Sequence, residues 1–314
     1  MNSQFPITAI DLMGGDDSPL TRWRAINKYI KLNPNHAFKV YLDESCMQQH
    51  QQTFAECPDN ISLIIAENSI LMDESPIRAL RQKRTSSMSV AIKAVADGEA
   101  DAILTAGNSG ALVALAKYWL KMSSTIERPA LATVLPGSPK PTLLLDIGAM
   151  LEYRAEDLYG LAELGAQVAP ELLNCGPRPE VALLNVGTEH IKGHDTVQQA
   201  DRLLQDSELN YLGFCEGTHL FAGFADVVCC DGFVGNITLK ACEGLMQQVQ
   251  SKRHLKWWQK WFCQFNDVNL NPAQYNGALL LGLDGLVVKA HGNSDEQGFY
   301  HALVKTGEWM TKIK

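Results

Sequence analysis

Short apolar runs rich in β-branched residues alternate along the chain with longer stretches of helical periodicity. Runs of four to eight such residues bounded by turn formers read as buried strands. The pattern predicts strands over 7–11, 38–42, 61–66, 102–106, 130–135, 142–147, 181–186, 211–214, 225–230 and 285–289. Helix-length segments such as 88–96, 111–121, 158–173 and 197–204 lie between several of them. Alternation of this kind predicts an α/β fold with a largely parallel sheet covered on both faces. The turn-rich breaks at 135–141 and 174–179 do not read as flexible linkers, so one domain over 1–314 is expected. Two lobes about a hinge are the alternative.

One segment breaks the rhythm. Between 246 and 266, Lys252, Arg253, Lys256 and Lys260 interleave with Leu255, Trp257, Trp258, Trp261 and Phe262. On a helix, Leu255, Trp258 and Phe262 share a face that basic residues flank. Tryptophan favours a membrane interface and lysine meets anionic headgroups. Packing on the chain's own core, or on a second subunit, explains the pattern equally well.

The glycines fall where strands end. Four apolar runs lead directly into polar, glycine-bearing loops: 9–19, 104–116, 183–195 and 228–240. In an open parallel sheet the ligand site lies beyond the carboxyl ends of the strands. Glycine there permits close approach of backbone N–H groups. Gly107, Asn108, Ser109 and Gly110 stand at a predicted helix start, which favours an anion. Ser109 is expected to cap that helix or to bond a phosphate oxygen. Each loop alone reads equally as an ordinary turn.

Charged residues add candidates. Arg78 and Arg81 share a helix face near Ser86 and Ser87 and fit either phosphate or solvent. Lys192, in a loop bounded by Gly187 and Gly193, fits an oxyanion or a plain surface position. Asn236, after Gly235, is an N-cap or an oxyanion donor, and His291 a general base or a turn residue.

Composition narrows the classes. The 314 residues carry a formal net charge of −8, which argues against nucleic acid as a partner. No run of about 18 apolar residues predicts a transmembrane helix, and the first residues do not read as a secretory signal. The eight cysteines show no zinc spacing and read as buried thiols in a reducing cytosol. No GxGxxG, P-loop or nucleophile elbow occurs, so direct transfer between two bound substrates is expected.

These stretches together resemble one family. DLMGGD (11–16), PIRALR (76–81) with SSM (86–88), AGNSGAL (106–112) and ERPA (127–130) match in order. So do LLDIGA (144–149), LLNVGTE (183–189) with Lys192 and Gly193, DGFVGNITLK (231–240), YNGA (275–278) and KAHG (289–292). The chain resembles the bacterial phosphate acyltransferases of fatty-acid and phospholipid synthesis over nearly its whole length. The resemblance implies a three-layer α/β/α fold like that of isocitrate and isopropylmalate dehydrogenases. It implies a homodimer that needs neither cofactor nor metal. The reaction would move a long-chain acyl group from acyl carrier protein to inorganic phosphate, feeding a glycerol-3-phosphate acyltransferase. It further implies a cytoplasmic protein in peripheral contact with an anionic membrane through a helical segment near 243–270.

By motif match, Lys192 and Asn236 sit at the reacting centre. Gly107–Gly110, with Arg78 and Arg81, hold phosphate or the pantetheine arm. Asp11, Gly14, Gly15, Asp16, Ser87, Asp146, Gly148, Asp231, Gly235 and His291 complete the substrate site. One departure stands out: Met150 occupies the place of the family's asparagine. The alternatives are a coenzyme A-dependent phosphate acetyl- or butyryltransferase, and a non-catalytic membrane scaffold that binds acyl carrier protein.

Overall fold

The computed structural model describes residues 5–122, 126–251 and 276–313. The chain divides into two compact units: residues 1–129 with 276–314, and residues 130–275.

In unit 1 the predicted strands appear as β1 (Ile7–Asp11), β2 (Ala37–Asp43), β3 (Ile61–Ala66) and β4 (Ala102–Thr105). Helices α1 (Pro19–Leu32), α2 (Glu44–Gln49), α3 (Gln51–Ala55), α4 (Pro76–Gln82), α5 (Ser87–Ala96) and α6 (Ser109–Trp119) connect and cover them. Local chemistry starts these helices. Ser18 caps α1 ahead of a first-turn proline, and Ser75 does the same for α4. Along α1, Trp23, Ile26 and Ile30 bury one stripe at helical spacing.

Chain returning from unit 2 completes unit 1 with β10 (Ala278–Leu281), β11 (Leu286–Lys289) and α10 (Glu296–Lys312). Strand β10 was not expected. Its apolar run is only four residues long, between two glycines with positive φ, Gly277 and Gly282. The strand order in this unit is β3-β2-β1-β4-β11-β10. Among the described strands of this unit, only β10 and β11 pair antiparallel.

Unit 2 carries β5 (Ala130–Leu135), β6 (Thr142–Leu145), β7 (Glu180–Leu184), β8 (Asn210–Cys215) and β9 (Val227–Cys229). Its order is β5-β6-β9-β7-β8, parallel apart from β5 with β6. The helices are α7 (Ala155–Leu173), α8 (Asp195–Gln205) and α9 (Gly232–Ser251). Leu143, Leu144, Val181, Ala182 and Val227 are fully buried, as expected of parallel strands covered on both faces.

Among the described residues no helix is long and apolar enough to cross a membrane. Leu255, Trp257, Trp258, Trp261 and Phe262 lie outside the described residues.

Candidate active site

In unit 1, the register places Asp11, Thr105 and Lys289 side by side at the carboxyl ends of β1, β4 and β11. Asp11 is 1% exposed. Its Oδ1 accepts from Ser87 Oγ at 2.7 Å, and its Oδ2 from Thr105 Oγ1 at 2.7 Å. Thr105 Oγ1 accepts in turn from the Gly107 N–H at 2.9 Å. Asp11 and Ser87 therefore lie beneath the loops, and their polar atoms are spent on each other and on loop geometry. A Cβ on Gly14 would come within 2.5 Å of the Gly107 backbone nitrogen. Glycine is what lets the two loops touch. Gly15 takes a φ of 114°, and the Asp16 N–H donates to the Gly292 carbonyl at 2.8 Å.

Two buried cations lie under these loops. Lys289 Nζ donates to the carbonyls of Ala106, at 3.2 Å, and Ala290. Burial pushes its ammonium down to about 8, while Asp16 and Asp11 oppose the shift. Arg22 Nε donates to the Leu12 carbonyl at 2.7 Å. Burial lowers its guanidinium pKa against the pull of Asp11 and Asp17. Sequence reading missed Arg22, Thr105 and any role for Lys289. The available signal was a polar residue closing an otherwise apolar strand, as in AILT and LVVK.

The start of α6 corrects one expectation. Asn108, not Ser109, is the N-cap, and its Oδ1 accepts from the Ala111 N–H at 3.0 Å. The Asn108 amide also donates to the carbonyls of Met72 and Glu74, both at 2.9 Å, which pins the preceding loop. Ser109 and Gly110 are then the first helical residues, whose N–H groups have no intrahelical acceptor. A Cβ on Gly110 would meet Pro76 Cγ at 2.7 Å, so α4 docks against this helix start. That docking brings exposed Arg78 and Arg81 into the neighbourhood of the loop. Arg78 pairs with Glu74 at 3.3 Å. The His291 backbone N–H donates to Asn276 Oδ1 at 2.8 Å, and its carbonyl accepts from Ser294 Oγ, a turn arrangement.

Unit 2 builds a second centre around Asp146, which is 0% exposed. Its carboxylate accepts main-chain N–H groups from Leu131 at 2.9 Å, Gly148 at 3.1 Å, Ala149 at 2.9 Å and Met150 at 2.8 Å. The Tyr153 hydroxyl donates at 3.0 Å. Burial pushes the Asp146 carboxyl up, and these donors pull it back. The N-terminus of α9 rests on this loop. A Cβ on Gly235 would lie 1.9 Å from the Asp146 carbonyl, and one on Gly148 would lie 3.0 Å from Asn236 Nδ2. Asn236 sits inside α9 and is not its cap. Asp231 takes that part, its Oδ1 accepting from the Val234 N–H at 2.8 Å.

The Lys192 loop is braced from within. Asn185 Nδ2 donates to the Lys192 carbonyl at 3.1 Å, and Gln198 Nε2 to the Gly193 carbonyl at 3.0 Å. Lys192 itself is exposed. Among the described residues, no cluster of three or more His, Cys, Asp or Glu is placed to hold a metal ion.

The family model described as "Fatty acid synthesis protein" matches residues 7–312. A "Phosphate acyltransferase" of Stutzerimonas stutzeri is 43% identical over 319 residues, covering 96% of this chain and 88% of that protein. One of Shewanella woodyi is 40% identical over 309 residues, covering 94% and 90%. A solved phosphotransacetylase from Streptococcus pyogenes shares the fold with a TM-score of 0.64 at 14% identity, covering 98% and 94% of the two chains.

Proposed function

The chain belongs to the fatty acid synthesis protein family and is an enzyme of the phosphate acyltransferase class, and on that premise we propose that it moves a long-chain acyl group from acyl carrier protein to inorganic phosphate. The observation that carries this reading is the match over residues 7–312. Site geometry supports it. The main-chain N–H groups after β6 turn inward to Asp146, so they cannot serve a substrate oxyanion. That task falls to side-chain donors, Asn236 Nδ2 and Lys192 Nζ. The free N–H groups of Ser109 and Gly110 suit a phosphate, with Arg78 and Arg81 adding charge.

A phosphate oxygen attacks the thioester carbonyl, and the tetrahedral oxyanion forms against Lys192 and Asn236. The C–S bond then breaks, and the thiolate leaves to take a proton from solvent. Proximity of two bound substrates supplies much of the acceleration. Asp11, Ser87 and Asp146 fix the loops. Asp16, Asp231 and His291 orient the substrates at their edges. Residues 1–314 act as one catalytic domain, as a homodimer. The segment near 243–270 contacts the anionic cytoplasmic membrane, where a glycerol-3-phosphate acyltransferase consumes the acyl phosphate.

The test is acyl phosphate formation by the purified protein from hexadecanoyl acyl carrier protein and phosphate, beside acetyl coenzyme A and phosphate. Product from the first pair alone supports the reading. Product from the second alone makes it a coenzyme A-dependent phosphotransacylase. Binding of carrier protein without product makes it a scaffold. Lys192→Ala lowers turnover by about a hundredfold or more if the lysine meets the oxyanion.

A further inference from the structure

Unit 2 holds a cavity of about 630 Å³ at the carboxyl end of its sheet. This lies within the roughly 300–1,000 Å³ typical of small-ligand pockets. Leu158 of α7, Leu183 of β7, Val197 of α8 and Cys229 of β9 line it. All four are buried residues. Burial also pushes the Cys229 thiol up, so it stays neutral and behaves as a small apolar group. Asn185, His194 and Asp231, none of them buried, supply polar lining and make the rim of the cavity, and Thr238 of α9 adds a hydroxyl. His194 Nε2 stands 4.0 Å from Asp231 Oδ2 there. Among the described residues no lysine or arginine lines the cavity, so a phosphate or phosphodiester would find neither there.

The rim borders groups already given chemical roles. Gly193 at the rim follows Lys192 directly. Val234 and Thr238 line the cavity from the same turns of α9 that carry Asn236. A carbonyl at this rim and a hydrocarbon chain inside would satisfy the polar edge and the apolar interior together. At roughly 30 Å³ for each methylene, comparable to a water molecule, the space holds ten or more.

We infer that this cavity takes the hydrocarbon chain of the acyl donor and sets which chain lengths are turned over. The inference rests on the acyl-transfer reading above and gives that site its specificity. Each methylene buried raises kcat/KM by about fourfold until the cavity is full, after which longer chains gain nothing. Val197→Phe and Thr238→Trp shorten the cavity from two different helices. Thr238 is half-exposed, so its variant keeps the comparison alive if Val197→Phe does not fold.

The experiment measures kcat/KM across acyl carrier proteins of 4 to 18 carbons, approximate steps of two, for the wild type and both variants. Binding of hexadecanoyl-pantetheine, an uncharged thioester, is measured alongside by calorimetry. The expected result is a drop of about tenfold or more in the ratio of long-chain to short-chain kcat/KM, with hexadecanoyl-pantetheine binding weakened similarly. A folded Thr238→Trp protein with the wild-type chain-length profile and wild-type binding would overturn the inference. If the wild type makes no acyl phosphate at any length, the catalytic reading fails. The cavity assignment is then decided by binding alone, standing if the substitutions weaken it and falling if they do not.

Discussion

Two aspartates, Asp11 closing β1 and Asp146 just after β6, are both buried, yet they organise their surroundings by different means. Asp11 accepts from the hydroxyls of Ser87 and Thr105, so its hub depends on side chains from three separate elements. Asp146 accepts from four main-chain N–H groups and one phenol, so its hub depends chiefly on where the backbone runs. A hydroxyl can rotate and reverse its role from donor to acceptor, whereas an N–H cannot. The same task, holding a glycine loop at a strand end, is thus adaptable in unit 1 and rigid in unit 2.

The strongest way to break this comparison is to give each hub an amide. Asp146→Asn keeps one acceptor oxygen and points an NH2 group at buried donors. It should cost about 4 kcal/mol or more of stability in urea unfolding, because several donors are orphaned. A loss under about 1 kcal/mol would deny the hub its importance.

Acid sharpens the contrast from the side of unit 1. Its buried His36 bonds Thr8 Oγ1 at 2.8 Å and stacks on Phe38, and burial lowers the imidazole to about 4. The unfolded chain takes up this proton near pH 6.5 and the folded chain only near 4. Stability therefore falls as pH drops through that window, by roughly 3 kcal/mol. The described histidines of unit 2, His190, His194 and His219, are not buried. His36→Gln should flatten this limb in pH-dependent melts.

A smaller effect is expected of Asp11→Asn, about 1–2 kcal/mol, since Ser87 and Thr105 can reorient. Equal losses for the two asparagine variants would erase the distinction between the hubs. The smallest effect belongs to Met150→Asn. Met150 serves Asp146 through its backbone N–H alone, so the melting midpoint should shift by under about 0.5 kcal/mol equivalent. Any larger change in acyl phosphate formation then reports a role for that side chain toward substrate.

Much of the fold was legible because parallel strands buried on both faces read as apolar runs. β1, β3 and β5 have the expected bounds, and β2, β4 and β11 differ by one residue at an end or at both. Strand β10 was not, since four residues between glycines carry too little periodicity. The glycine loops marked both centres, but their internal wiring was hidden. Nothing in sequence tells that Asn108 caps α6 while holding the carbonyls of Met72 and Glu74, because that pairing depends on α4 docking at Gly110. Nor could His190 be paired with Asp201, 3.1 Å away and reached only once α8 folds back. Lys289 was given no role from sequence, because only the register sets it beside Thr105 in the interior.

The Asp146 cage has a consequence for how this loop changes over time. A carboxylate that reads only N–H groups is indifferent to which side chains hang from positions 148–150, apart from the glycine whose φ is 127°. The loop can therefore accept neutral substitutions without losing its shape. The methionine at 150, where the family resemblance leads one to expect an asparagine, then needs no compensating change within the cage. Selection on such a position would act through substrate choice, and the scaffold would leave it free to drift.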